Sequence, residues 1–329
     1  MKKVICFIFL CLVLQADENI ELFEKAQLLE KKGNYKEAML IYKELALQKN
    51  PIEQVEHHNH ERSSFFKNQI SFDDMETAST VEQIISSEFD LYAYKTNYFA
   101  PISYTNKKEE DRKKIETKFQ ISIRKPIAYN ILGFNESIEL AYTQTSWWQI
   151  YEKSSPFREN NYNPEIFALF LNKNSNSTLK AAKIGFIHSS NGEKGELSRS
   201  WNRVYLQGTY RFADLFIQPT IWYRIPEKSK QDEYDPYGDD NPDILKYYGH
   251  GELSFIYPYK KNIFTLNVRN NLRKSNKGFM ELTWTYPLDN NSRFSKYFGY
   301  VSLSSGYGDG LTEYKENIKR ATIGIAFSR

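Results

Sequence analysis

The chain has little sulfur, no apolar run long enough for a transmembrane helix and no excess of one charge. Each lack excludes a class of protein. Two of its 329 residues are cysteine, Cys6 and Cys11. Both sit in an apolar run of about 11 residues, Val4 to Leu14, too short to cross a bilayer as a helix. Met1, Lys2 and Lys3 precede it, and Gln15-Ala16 offers a small residue for cleavage before Asp17. Residues 1–16 therefore read as a secretory signal peptide, with a buried N-terminal strand or helix as the alternative. Without that segment the chain has no cysteine. This excludes a disulfide, a thiol nucleophile and a thiolate metal site. Mean hydropathy of −0.63 argues against a bundle of membrane-spanning helices. Lys plus Arg number 44 against 41 Asp plus Glu, too balanced for a nucleic-acid footprint. No Gly-x-Ser-x-Gly elbow is present, so an α/β-hydrolase is not indicated.

The chain is rich in aromatic side chains, with 24 Tyr, 22 Phe and 5 Trp. It also has two distinct periodicities. Residues 17–50 place Ala26, Leu29, Tyr35, Ala38, Ile41, Tyr42 and Leu45 at helical spacing, broken at Gly33-Asn34. Gly33-Asn34-Tyr35-Lys36-Glu37-Ala38, with Tyr42, Ala46 and Pro51, resembles one tetratricopeptide unit. One unit cannot close a solenoid core. The reading is a short helical hairpin that offers a surface to a periplasmic partner. Residues 51–87 read as a linker. Its His57, His58 and His60 are either a metal site or simply solvated.

From residue 88 to 329 the period is two. Ile115, Thr117, Phe119, Ile121 and Ile123 alternate with Glu116, Lys118, Gln120, Ser122 and Arg124. About twelve such segments follow, near 91–104, 113–126, 135–150, 164–173, 179–190, 199–211, 214–225, 244–258, 261–270, 277–287, 297–307 and 319–328. One face apolar and one polar, over strands of ~9–11 residues, is the pattern of a transmembrane β-barrel. The expected fold is all-β: a 12-stranded antiparallel transmembrane β-barrel with a short N-terminal helical hairpin. A secreted β-sandwich shares the alternation. An even strand number puts both termini in the periplasm. The connections near 105–112, 151–163, 191–198, 226–243, 271–276 and 308–318 then face outward.

Polar residues interrupt the lipid-directed stripe at three positions. His188 and Ser190 share the face of Ala182, Ile184 and Phe186, and Asn202 shares that of Val204 and Leu206. A polar group on a hydrocarbon-facing wall marks function by default, although a rim girdle has the same pattern. A serine hydroxyl needs an adjacent base. Histidine supplies one near neutral pH. An Asn carbonyl oxygen can hold the ring's tautomer. Gln144 faces lipid with Ile138, Leu140 and Tyr142, and a buried amide there wants a partner. His250 reads as a lumenal residue beside Glu252. The six acids within 232–243 are either a cation-binding loop or a solvated one.

These residues resemble the outer-membrane phospholipase A family of calcium-dependent dimeric barrels. The blocks that carry the likeness are Tyr142-Thr143-Gln144-Thr145-Ser146-Trp147-Trp148-Gln149, Ser154-Ser155-Pro156-Phe157-Arg158-Glu159, His188-Ser189-Ser190-Asn191-Gly192, Ser198-Arg199-Ser200-Trp201-Asn202-Arg203, Asp239-Asp240-Asn241-Pro242-Asp243 and Ser305-Gly306-Tyr307-Gly308. Their order and spacing hold over about residues 88–327. The resemblance implies a phospholipase A1/A2 and lysophospholipase with Ser190 as nucleophile, His188 as base and Asn202 as orienting residue. It implies Ca2+ on the Glu193 carbonyl, Ser198 and Asp240, with Ser154 reaching in from the partner of a homodimer. Hard oxygen donors suit that ion. The Ser190 main-chain N–H, with Gly192 near it, would hold the oxyanion. Gln144 would make a dimer contact, and the active site would face the outer leaflet. Two positions depart from the family pattern: Glu193 replaces an Arg, and Gly195 replaces an acidic residue whose part Glu193 or Glu196 would take. The rival reading is a passive porin or binding barrel, which needs no polar cluster on its outer wall.

Overall fold

The computed structural model describes residues 25, 27–48, 91–107, 112–172, 174, 176–232, 235, 238–288 and 297–329. The expected signal peptide, the linker and His57, His58 and His60 lie outside the described residues. Contacts divide the chain into two compact units, Met1–Phe89 and Asp90–Arg329.

In the first unit, residues 27–31 are helical and α1 follows at Tyr35–Gln48. Between them Gly33 takes a φ of 77°, the left-handed conformation that ends a helix. Asn34 N–H donates back to the Leu29 carbonyl at 2.9 Å. Ala38 is buried, and the Tyr42 hydroxyl donates to Glu30 at 3.0 Å across the turn. This is the helical hairpin that the spacing predicts.

The second unit is one antiparallel sheet. Its strands are β1 (Tyr92–Ala93), β2 (Tyr98–Thr105), β3 (Ile115–Tyr129), β4 (Ser137–Trp148), β5 (Phe157–Leu171), β6 (Leu179–Ser190), β7 (Ser200–Phe212), β8 (Leu215–Ile225), β9 (Gly251–Tyr259), β10 (Asn262–Asn270), β11 (Gly278–Pro287), β12 (Phe298–Tyr307) and β13 (Asn317–Ala326). Consecutive strands from β2 to β13 pair with one another, and β13 pairs back onto β2. Twelve strands thus close a barrel and leave no edge unpaired. Closure is what a sheet needs in lipid, where no water can satisfy a free N–H.

β1 is a stub on the same edge of β3 as β2. Between the two, the side chain of Asn97 takes over the pairing. It accepts from Ser122 N–H at 2.6 Å and donates to the Ser122 carbonyl at 3.0 Å, as a main-chain amide would. Asn97 also ties the chain ends together. Its main-chain and side-chain N–H groups donate to the Ser328 hydroxyl at 3.0 and 2.7 Å.

The two faces are inverted relative to a soluble protein. Ile184, Leu206, Ile221, Leu303 and Ile323 stand exposed on the outer wall. Glu116, Glu159, Arg112, Asp309 and Arg320 are buried inside. Arg320 donates to Glu116 at 2.8 Å and to Asp309 at 2.7 Å, and Arg158 donates to Glu116 at 3.0 Å and to Glu313 at 2.9 Å. Buried charges survive only when paired, and these are. The lumen holds a cavity of about 780 Å³ lined by residues such as Lys183, Glu165, Arg203 and Glu281. Towards the long connections, Trp201, Ile244, Tyr248, Leu311 and Tyr314 pack into an apolar cluster.

The strand expectations need three corrections. β5 begins at Phe157 rather than 164, because Asn161 and Asn163 face the lumen, where polar side chains find partners. Residues 244–250 are not strand: α2 (Leu245–Tyr248) turns inward and Gly249 ends it at a φ of 66°. His250, expected in the lumen, is therefore exposed in the turn before β9 and lies outside the cavity lining.

Candidate active site

The site is built on β6 and β7, whose register sets His188 directly opposite Asn202 and Ser190 opposite Ser200. Period-two geometry then puts His188, Ser190 and Asn202 on one wall, with exposed Phe186, Val204 and Leu206 below them. His188 Nδ1 and Asn202 Oδ1 are 2.9 Å apart. An amide oxygen only accepts, so Nδ1 is the donor in this contact. Ser190 stands two residues along from His188 on the same face. Its hydroxyl makes no hydrogen bond among the described residues.

The adjacent serine points the other way. Ser189 is buried in the lumenal wall, where it donates to Asn163 at 2.7 Å and accepts from Arg203 at 2.9 Å. Only one of the two serines shares a face with the imidazole. Beside it, the β5–β6 pairing runs from Tyr162↔Ser190 to Glu165↔Ile187 and skips Asn163 and Pro164, the latter having no N–H to give.

Asn191 holds the connection that follows. Its amide oxygen accepts from Glu193 N–H at 3.2 Å and Arg199 N–H at 2.9 Å. Its amide nitrogen donates to the Leu197 carbonyl at 2.7 Å and to Thr312 at 3.2 Å. Gly192 has a φ of 73°, and a Cβ there would meet the Tyr162 ring at 2.9 Å. A side chain is excluded twice over, by conformation and by space.

The expected calcium ligands are partly brought together. Ser198 donates to Asp240 at 2.8 Å, and Ser200 donates to the same carboxylate at 3.0 Å. Lys230 Nζ lies 2.6 Å from the other carboxylate oxygen. Arg224 anchors the segment through Asp239 at 2.5 Å and the Asn241 carbonyl at 3.1 Å. Glu193 is exposed on the same connection as Ser198, and Ser154 is exposed on the β4–β5 connection with a φ of 60°. Neither hydrogen-bonds to Ser198 or Asp240 among the described residues. No group of three or more His, Cys, Asp or Glu among the described residues is placed to hold a metal. A cation here would rely on hydroxyls, main-chain carbonyls and one carboxylate. That donor set fits a hard divalent ion.

Gln144 lies on the outer wall in a chain of hydrogen bonds. Tyr142 donates to its oxygen at 3.1 Å, its nitrogen donates to Ser146 at 3.1 Å, and Ser146 donates to Asn160 at 2.7 Å. One lone pair and one N–H of Gln144 stay free of these bonds.

The connections around the site carry shifted acids. Burial raises the Asp309 carboxyl, but Arg320 and Lys118 outweigh it and hold the group well below the ordinary carboxylate range. Burial likewise opposes ionisation of Glu313, and Arg158, Lys107 and Arg112 override it downward. Asp243 is also lowered: a hydrogen bond from the Tyr314 hydroxyl and the Lys315 ammonium overcome its burial. Two site residues escaped the sequence reading, Lys230 and Glu227, whose carboxylate accepts from Asn202 Nδ2 at 2.8 Å.

A closed barrel with an apolar outside and a charged inside is a membrane-spanning cylinder, and the chain is an outer-membrane β-barrel protein. The sequence model of the Phospholipase A1 family matches residues 74–327, and the chain belongs to that family. Phospholipase A1 of Escherichia coli K12 is 34% identical over 250 residues, 72% of this chain and 81% of that protein. Among solved structures, outer membrane phospholipase A from Escherichia coli superposes with a TM-score of 0.64 at 32% identity, covering 73% of this chain and 99% of that one. The Salmonella typhi outer membrane phospholipase dimer with bound calcium gives 0.65 at 32% identity, over 73% and 93% of the two chains.

Proposed function

We propose that this protein hydrolyses phospholipid acyl esters at the outer membrane, with phospholipase A1, A2 and lysophospholipase activity. Ser190 is the nucleophile, His188 the base and Asn202 the residue that orients the ring. The observation that carries this reading is the His188–Asn202 bond of 2.9 Å on the wall that also presents Ser190, while Ser189 is turned inward. His188 Nε2 takes the Ser190 proton as Oγ bonds the ester carbon. The imidazolium then gives that proton to the departing lysolipid oxygen. Water, deprotonated by the same nitrogen, releases the fatty acid. Asn202 keeps Nδ1 protonated throughout. The Ser190 N–H, close to Gly192, faces the developing oxyanion. Because the groups lie on the outer wall, the ester reaches them from the bilayer and never enters the lumen.

The calcium-bound relative, the donor set and the dimer in that relative support a Ca2+ site on Ser198, Asp240 and the Glu193 carbonyl. Ser154 of a second copy completes it. Calcium bound there supplies positive charge to the oxyanion. The homodimer places Gln144 at the contact, and the six long connections face outward, towards the outer leaflet. The test is fatty-acid release from mixed micelles with calcium and with chelator. Ser190→Ala is expected to abolish release, and His188→Ala to lower it about 10²–10⁴-fold. Release by Ser190→Ala in calcium would remove the nucleophile assignment.

A further inference from the structure

We infer that Glu227 is a positioning residue that sets the protonation pattern of the imidazole through Asn202. The inference rests on the proposed triad and extends it by one member. β8 ends at Ile225, the residue paired with Asn202. Ile221, Tyr223 and Ile225 alternate along that strand, and Glu227 continues their parity two residues past its end, beyond Pro226. This brings a partly buried carboxylate to the outer wall beside the amide. Its one hydrogen bond among the described residues is the 2.8 Å contact from Asn202 Nδ2.

An ionised carboxylate accepts and cannot donate, so Asn202 must turn its NH₂ towards Glu227. The amide has one oxygen, and it is then fixed towards His188 Nδ1, 2.9 Å away. That oxygen also cannot donate, so Nδ1 must carry the proton. The Nε2 lone pair is left for the serine. Without Glu227 the amide is free to flip end for end. The flipped form offers N–H to Nδ1, moves the ring proton to Nε2 and blocks the base. A wrong tautomer is costly: in Ser-His-Asp proteases it lowers kcat about 10⁴-fold. A flip that is only partly populated costs less. An asparagine triad has this ambiguity where an aspartate triad does not, and a carboxylate behind the amide removes it.

The test uses the full-length protein refolded in detergent. Folding of each variant is checked by far-UV circular dichroism. Glu227→Ala is expected to lower kcat about tenfold with KM unchanged. Glu227→Gln, whose amide can accept or donate, falls between wild type and Glu227→Ala. The sharper arm uses Asn202→Asp, which sets two carboxylates face to face. In that background Glu227→Gln is expected to raise kcat, whereas in the wild-type background it lowers it. A purely structural Glu227 predicts the same sign in both. The second readout is the ¹⁵N spectrum of labelled histidine: Nδ1–H in the wild type, a mixture with Nε2–H in Glu227→Ala. An unchanged tautomer and kcat in a folded Glu227→Ala variant would overturn the inference. If Ser190→Ala still abolishes activity in that case and His188→Ala still lowers it about 10²–10⁴-fold, the triad itself stands.

Discussion

At the scale of single residues, facing decides function. Ser189 and Ser190 differ by one position and by 180° of strand rotation. Ser189 is locked between Asn163 and Arg203, and Ser190 shares the face of His188 with no hydrogen bond from its hydroxyl among the described residues. Ser189→Ala leaves Asn163 and Arg203 short of a partner inside the barrel. It is expected to cost about 1–3 kcal/mol of stability, read from urea unfolding in detergent, with kcat per folded molecule unchanged. Parity likewise puts Gln144 on the outer wall, with one lone pair and one N–H beyond its bonds to Tyr142 and Ser146. Gln144→Leu is expected to weaken self-association by about 0.6–2 kcal/mol, measured by sedimentation in detergent with calcium present. His188, Ser190 and Asn202 could be read from the sequence because they break an otherwise apolar stripe. Glu227 escapes that reading because it lies past the end of the alternating segment, beyond Pro226, although it keeps the parity of Ile221, Tyr223 and Ile225.

At the scale of elements, strands were legible wherever one face is lumen and the other lipid, because that contrast writes itself as period two. It failed in β5, where Asn160, Asn161, Asn163 and Pro164 have the composition of a turn. There the lumen supplies partners for the Asn161 and Asn163 amides, and the bonds to β4 outweigh intrinsic preference. It failed again at 244–250, where apolar Ile244 and Tyr248 serve a cluster beneath the connections and not a strand face. The segment from Gly192 to Ser198 has little regular structure, one 3-10 turn at Gly195–Leu197, and takes its shape from Asn191. Asn191→Ala removes the bonds on both sides of that segment. It is expected to raise the calcium needed for half-maximal activity about tenfold while the barrel's thermal midpoint moves little, with calcium titration and calorimetry as the checks.

At the scale of the whole molecule, a network of ion pairs inside the wall takes the place of an apolar core. Arg320 joins Glu116 to Asp309 and is almost wholly buried. Arg320→Met leaves buried Asp309 with only Lys118, 4.0 Å away, while Glu116 keeps Arg158, and it is expected to cost about 3–5 kcal/mol in urea unfolding. The network also sets the response to acid. Asp309 and Glu313 have lower pKa values folded than unfolded, so their stabilisation is present above the ordinary carboxylate range. It is lost as pH falls through the depressed folded values. Thermal midpoints in detergent should hold from neutral pH to the ordinary carboxylate range and drop below it, and Asp309→Asn should flatten that drop. Closure itself depends on the first and last strands: β2 meets β13 more than 200 residues along the chain, near the Asn97–Ser328 contact of 2.7 Å. Such a pairing is slow to find. Until it forms, the nascent sheet is a ribbon with two raw borders, each able to recruit a neighbour's strand. The final residues therefore act as a fastener, and the interval before they engage is when the chain most needs an escort.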